Sequence, residues 1–105
     1  MLLKKASERE WIGAGANGVQ RSLFRHNAEG GRSSVLRMAA GARVPRHTHH
    51  GTEEVLVLAG RVTLDGVELG EGDYLFVEPG EEHDVVALTD ALLFISTQKS
   101  TAFVE

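Results

Sequence analysis

Apolar positions in this chain come in short runs, cut every few residues by glycine, proline or aspartate. The two most apolar are Glu54-Val-Leu-Val-Leu-Ala59 and Ala91-Leu-Leu-Phe-Ile-Ser-Thr97. No window carries the period of an amphipathic helix, whereas short runs rich in valine, leucine and aromatic residues between turn formers are the signature of strands. The pattern predicts strands over residues 20–26, 33–40, 54–59, 61–64, 67–69, 74–77, 84–88 and 91–97. Asp65-Gly66 separates two of these and is a strong hairpin signal, because a type I′ turn needs positive φ at both central residues. Residues 41–45 read as a connecting loop, and Gly13-Ala-Gly-Ala-Asn-Gly18 as a linker-like approach. Closely spaced turns without a helix predict an all-β sandwich or barrel.

The chain has 105 residues, enough for one domain around one core and too short for two. Hydrophobic residues at 42 % and charged residues at 25 % are ordinary globular values and exclude general disorder. With no cysteine, disulfides, thiolate catalysis and thiolate zinc sites are excluded, so any metal must use nitrogen and oxygen donors. No apolar run approaches a membrane span and the N-terminus lacks a leader-like core, so the expected compartment is the cytoplasm, with no membrane partner.

Charge is divided unevenly. Residues 1–52 carry nine Lys/Arg against three Asp/Glu, and residues 53–105 carry two against twelve, giving +6 and −10 for a net −4. The arginines at 21, 25, 32, 37, 43 and 46 are dispersed, without a basic run or interleaved aromatics, so no nucleic-acid partner is expected. Strands of the basic half paired with strands of the acidic half would instead make opposite charges cross-strand neighbours.

Residues 41–60 concentrate the chemistry. His47 and His49 lie two apart, so in an extended segment they leave the same face, and Glu53 shares their parity four residues on. His83 follows the Pro79-Gly80 turn and is a fourth candidate donor. Neutral imidazole and carboxylate together suit first-row divalent metals. His50 has the wrong parity to join the pair, and His26 belongs to a separate strand. Glu54 could orient a ligand, Arg37 could meet an anionic substrate, and Tyr74, Phe76 and Phe94 are expected in the core.

These residues resemble the cupin family, whose first motif reads G-x5-H-x-H-x3,4-E-x6-G. Gly41, His47, His49, Glu53 and Gly60 meet every fixed position. A shuffled chain of this composition would do so roughly a few times in ten thousand. The second motif, G-x5-P-x-G-x2-H-x3-N, is met at Gly72, Gly80 and His83, with Pro79 one place late and Ala87 in place of asparagine. The likeness runs from Trp11 onward and is nearest to cupin domains of zinc-binding anti-sigma factors and of small non-haem dioxygenases. It also rests on Gly18-Val19, on Gly41 to His49, and on Glu53 to Leu58.

The resemblance implies one small cupin barrel (a double-stranded β-helix, or jelly roll) over residues 1–105. Residues 1–18 would be an approach segment available for dimer contacts. It also implies His47, His49, Glu53 and His83 as ligands of one divalent metal per chain: iron, manganese, nickel or zinc. The implied partners are a small molecule in the barrel and a second copy of the chain. Two functions follow as expectations: a dioxygenase-like oxidoreductase, or a non-catalytic zinc- or ligand-binding module with a sensing or regulatory role. The anti-sigma role itself is not expected to transfer, because those proteins carry a separate helical zinc domain before the cupin. A metal-free sugar epimerase is disfavoured, since such cupins usually lose this ligand set.

Overall fold

The computed structural model describes residues 1–105. Eleven strands follow one turn of 3-10 helix at Ala6–Glu8: β1 (Ile12–Gly13), β2 (Val19–His26), β3 (Arg32–Met38), β4 (Arg43–His49), β5 (Glu53–Ala59), β6 (Val62–Leu64), β7 (Val67–Leu69), β8 (Tyr74–Val77), β9 (Glu82–Ala87), β10 (Ala91–Thr97) and β11 (Thr101–Phe103). They form two antiparallel sheets, one ordered β1-β2-β3-β10-β5-β8 and the other β11-β4-β9-β6-β7. From β3 onward the chain crosses between sheets at every connection except the β6–β7 hairpin, the wrapping of a jelly roll. No helix is long and apolar enough to cross a membrane.

All eight expected strands are present, with ends moved by two residues or fewer. Three further strands, β1, β4 and β11, lie outside the apolar runs. The expected loop at 41–45 is largely strand, since β4 begins at Arg43. Its outward positions carry arginine and threonine, so its apolar alternation is masked. The first residue of the linker-like approach, Gly13, belongs to β1 and pairs with Gln20, and β11 pairs with β4.

Each strand turns one set of alternate residues inward. Val55 and Val57 of β5, Leu93 of β10, Leu36 and Met38 of β3 and Val62 of β6 are all buried in one cluster. Burying a side chain of this size stabilises the fold by about 1.5–3 kcal/mol. Two turns explain local sequence. Asp65 and Gly66 take φ of 48° and 80°, as a type I′ hairpin demands. At Gly60, the last fixed glycine of the first motif, a Cβ would lie 2.1 Å from the Asp90 carbonyl oxygen, so only glycine lets the two segments approach.

The divided charge is resolved by strand pairing. Arg43 of β4 meets Asp84 of β9 at 3.1 Å, and Arg46 meets Glu82 of β9 at 3.3 Å and Asp65 of the hairpin at 3.0 Å. Tyr74 and Phe76 are not core residues. They lie on the exposed face of the edge strand β8, and only Phe94 of the three is partly covered, stacked on Phe24.

Candidate metal centre

His47 and His49 occupy alternate positions of β4, and His83 lies directly across from His47 on β9. A bulge between Val44 and His47 lets both Val44 and the histidines face inward although the two registers differ by one residue. Glu53 arrives differently from the single extended run that its parity suggested. The chain reverses at 50–52 and enters the opposite sheet, so Glu53 opens β5 and faces the histidines across the barrel interior. All four residues are buried, and they offer ligand atoms that lie within 4.8 Å of one another.

The detailed geometry is that of donors aimed at a shared point. His49 Nε2 lies 2.9 Å from one Glu53 oxygen and His83 Nε2 lies 3.1 Å from the other. Neither contact is aligned as a hydrogen bond, and His49 Nε2, His83 Nε2 and Glu53 Oε1 are left buried without a partner. His47 Nδ1 lies 2.7 Å from the Pro45 carbonyl oxygen. A carbonyl only accepts, so Nδ1 carries the proton and Nε2 keeps its lone pair when the ring is neutral. His49 Nδ1 is 2.9 Å from Thr101 Oγ1 on β11, the outer contact that fixes a ligating imidazole when it donates there.

Electrostatics support the same protonation states. Burial lowers the His47 pKa below its ordinary value, outweighing the Pro45 carbonyl, and keeps the ring neutral near pH 7. For Glu53 burial pushes the pKa up, but the short contacts from His49 and His83 outweigh it and bring it down to about 2. Three imidazoles around an anionic carboxylate are a donor set that fits a divalent transition metal.

The cluster sits in the wall of an interior cavity of about 320 Å³, lined also by Val44, Val55, Val85 and Ile95. Phe103 both lines this cavity and is exposed, which places it at the mouth. His50 and His26 are exposed and take no part. Glu54 points to the outer face and accepts a hydrogen bond from Tyr74 at 2.7 Å. Arg37 also lies outside, stacked 4.1 Å over the Trp11 ring and bonded to Gln20. The arginines that do reach the cavity are Arg21 and Arg32. Strand parity held the signal for them: Arg32, Ser34 and Leu36 alternate on β3, as do Val19 and Arg21 on β2.

The family model of the ChrR cupin-like domain matches residues 1–101. The chain belongs to that family. The match extends to the N-terminal segment before Trp11, beyond the stretch that carried the motif resemblance. A chain of the Rhodobacter sphaeroides complex of SigE with the anti-sigma ChrR superposes with a TM-score of 0.77 at 27 % identity, over 90 % of this chain and 51 % of that one. This cupin thus spans about half the length of that protein. An acetylacetone dioxygenase from Acinetobacter johnsonii gives a TM-score of 0.88 over 100 % of this chain and 78 % of the other, at 14 % identity, a likeness of fold alone. An RmlC-like cupin from Shewanella frigidimarina gives 0.76 at 26 % identity, covering 90 % and 86 %. No curated protein matches the chain by sequence.

Proposed function

We propose that His47, His49, Glu53 and His83 bind one divalent transition metal, and that the protein is a dioxygenase-like, metal-dependent oxidoreductase acting on a small oxygen-chelating organic molecule. The observation that carries this reading is the trio of buried, partnerless donor atoms on His49, His83 and Glu53 beside an interior cavity. An unsatisfied buried polar atom costs about 1–3 kcal/mol. One cation would satisfy all three.

Iron, manganese or nickel, when bound, would supply Lewis acidity and an electron path, with coordination positions left for exogenous oxygen donors. The chain's own residues do the rest. The Pro45 carbonyl holds His47 in the tautomer whose Nε2 can ligate, and Thr101 Oγ1 anchors the His49 ring. Glu53 stays anionic at neutral pH. Val55, Val85 and Ile95 exclude water from the space beside the cluster, where a diketone-sized carbon skeleton fits. The reaction class is oxygenative C–C cleavage, with dioxygen supplying both oxygen atoms added to the products.

A second reading, a zinc- or ligand-binding module that regulates a partner, is supported by membership in the ChrR cupin-like family. With zinc, four protein ligands make a closed tetrahedral site of structural type. The cavity favours the first reading, because a closed site needs no room beside it. In either case the working assembly is proposed to be a cytoplasmic homodimer.

Elemental analysis of gently purified protein, followed by oxygen uptake of the iron-loaded form with acetylacetone and related diketones, tests both. Near-stoichiometric metal that disappears in the His47→Ala/His49→Ala variant is expected, with uptake that depends on the added diketone. Metal retained by that variant would refute the ligand assignment. Zinc with no uptake across the panel would leave the regulatory reading.

A further inference from the structure

Arg21 of β2 and Arg32 of β3 line the same cavity as the metal-ligand group, on the sheet that faces the three histidines. Neither takes part in any of the ion pairs of the protein. Neither side chain makes a hydrogen bond to a protein acceptor, whereas Arg37, Arg43 and Arg46 all do. The one acidic residue on the cavity wall is Glu53, which is engaged with His49 and His83. The lining therefore carries two positive charges against one negative, and a divalent cation would raise the excess from +1 to +3.

Register fixes where Arg32 stands. Arg32 pairs with Thr97 by the register that sets Ser33 against Ser96, and Thr97 pairs with Glu53. The three form a row across adjacent strands, so Arg32 lies two strand spacings, roughly 10 Å between Cα atoms, from the carboxylate of the cluster. That is a span a small metabolite can bridge. Arg21 is partly buried, and burial, then the neighbouring Arg32 charge, holds its pKa below the usual arginine range. Two neighbouring guanidiniums without an acidic partner repel one another, and an oxyanion placed between them would offset that repulsion.

We infer that the cavity takes a small organic anion, one end presenting oxygen donors to the metal-ligand group and the other a carboxylate or phosphate held by Arg21 and Arg32. This deepens the proposed function and rests on it for the metal end alone. The arginine end stands on its own residues. A neutral diketone would then occupy only part of the site.

Calorimetric titration of the metal-loaded full chain with 2-oxoglutarate, phosphoenolpyruvate and neutral acetylacetone tests the inference, in the wild type and in Arg21→Gln, Arg32→Gln and the double variant. At least one anion is expected to bind the wild type. Each single variant should weaken it at least about tenfold and the double variant about a hundredfold, with acetylacetone affinity changed by no more than about threefold. Should a glutamine variant lose its thermal transition, Arg21→Lys and Arg32→Lys keep the charge without the planar fork and should retain an intermediate anion affinity.

Failure of both anions to bind the wild type would overturn the inference, as would unchanged anion affinity in the variants. An equal loss of anion and acetylacetone binding would also overturn it, by making the arginines merely structural. The same titration of metal-free His47→Ala/His49→Ala protein separates the two proposals. Arginine-dependent anion binding by a wild type that holds no metal would sustain the anion site while the metal reading fails. Full metal occupancy with arginine-independent binding would do the reverse.

Discussion

β4 and β5 are consecutive, both seven residues long, and both deliver side chains to the same cluster, yet they are built on opposite principles. β5 carries Glu53 at its first position and then sends Val55 and Val57 into the apolar core. β4 is polar almost throughout. It is bulged, sends His47 and His49 inward at its end, and covers its outside with Arg43 and Arg46 paired to acidic residues. β5 thus belongs to the part of the barrel that holds itself together. β4 ends instead in two of the cluster's imidazoles, so the apolar core and the donor cluster meet at the join of two consecutive strands, with Glu53 on the β5 side.

The sharpest way to break that contrast is to place a charge on the stable side. Val57→Asp would bury an uncompensated carboxylate at a position 1 % exposed, and should cost at least about 3–5 kcal/mol. Thermal and urea unfolding should show a collapsed transition, and a wild-type-like melt would mean that the interior at β5 is open to water. On the β4 side, His47→Ala/His49→Ala should keep a cooperative melt while losing metal. Wild-type stability should rise with added metal by RT ln(1 + [L]/Kd), about 4 kcal/mol at a thousandfold excess over Kd, and the variant should not respond. A metal-dependent shift in the variant's Tm would remove β4 from the site.

Acid should act on the cluster before it acts on the core. His47 is neutral in the fold because its pKa is lowered by burial, so the unfolded chain binds the extra proton, and stability is lost as pH falls below its ordinary value of 6.5. Glu53 adds a second window: its contribution is present above the ordinary carboxylate value of 4.5 and is lost as pH falls toward about 2. Protons also compete with the metal for the same nitrogens, so metal release should begin in the first window. Metal retained at full occupancy down to pH 4.5 or so, followed by dye release or absorbance, would contradict this ordering.

The smallest effect belongs to the outer face of β4. Arg46→Ala removes contacts to Asp65 and Glu82 that are exposed to solvent. Such pairs are screened, so Tm should barely move, and any shift should vanish at high salt. A large, salt-independent drop would show that β4 is held by its charges rather than by its backbone ladders to β9 and β11.

Much was legible in the sequence because it was local. Short apolar runs marked β5, β8 and β10, and two glycine-dependent turns set the hairpin and the approach at Gly60. The spacing of His47, His49 and Glu53 named the cluster, since metal-ligand residue types at short separation carry their chemistry with them. The parts that failed were non-local. β4 and β11 are strands only because partners far along the chain satisfy their backbone groups, and polar side chains gave no sign of it; β1, by contrast, pairs with the next strand and is only too short to show a pattern. Tyr74 and Phe76 have the composition of a core, but β8 is an edge strand, and its outer face has nothing over it.

The donor residues, most of the turns and the cupin fold could thus be read from residue order. Which arginines line the cavity was settled only when the sheets closed. Arg37 stands out beside the metal loop, but its parity on β3 sends it to the outer face, whereas Arg32 and Arg21 are turned inward toward the histidines by the same twofold alternation. A strand's own pattern gives two faces without saying which one will be inside. That choice is made when the second sheet closes over it, because only then is one face removed from water.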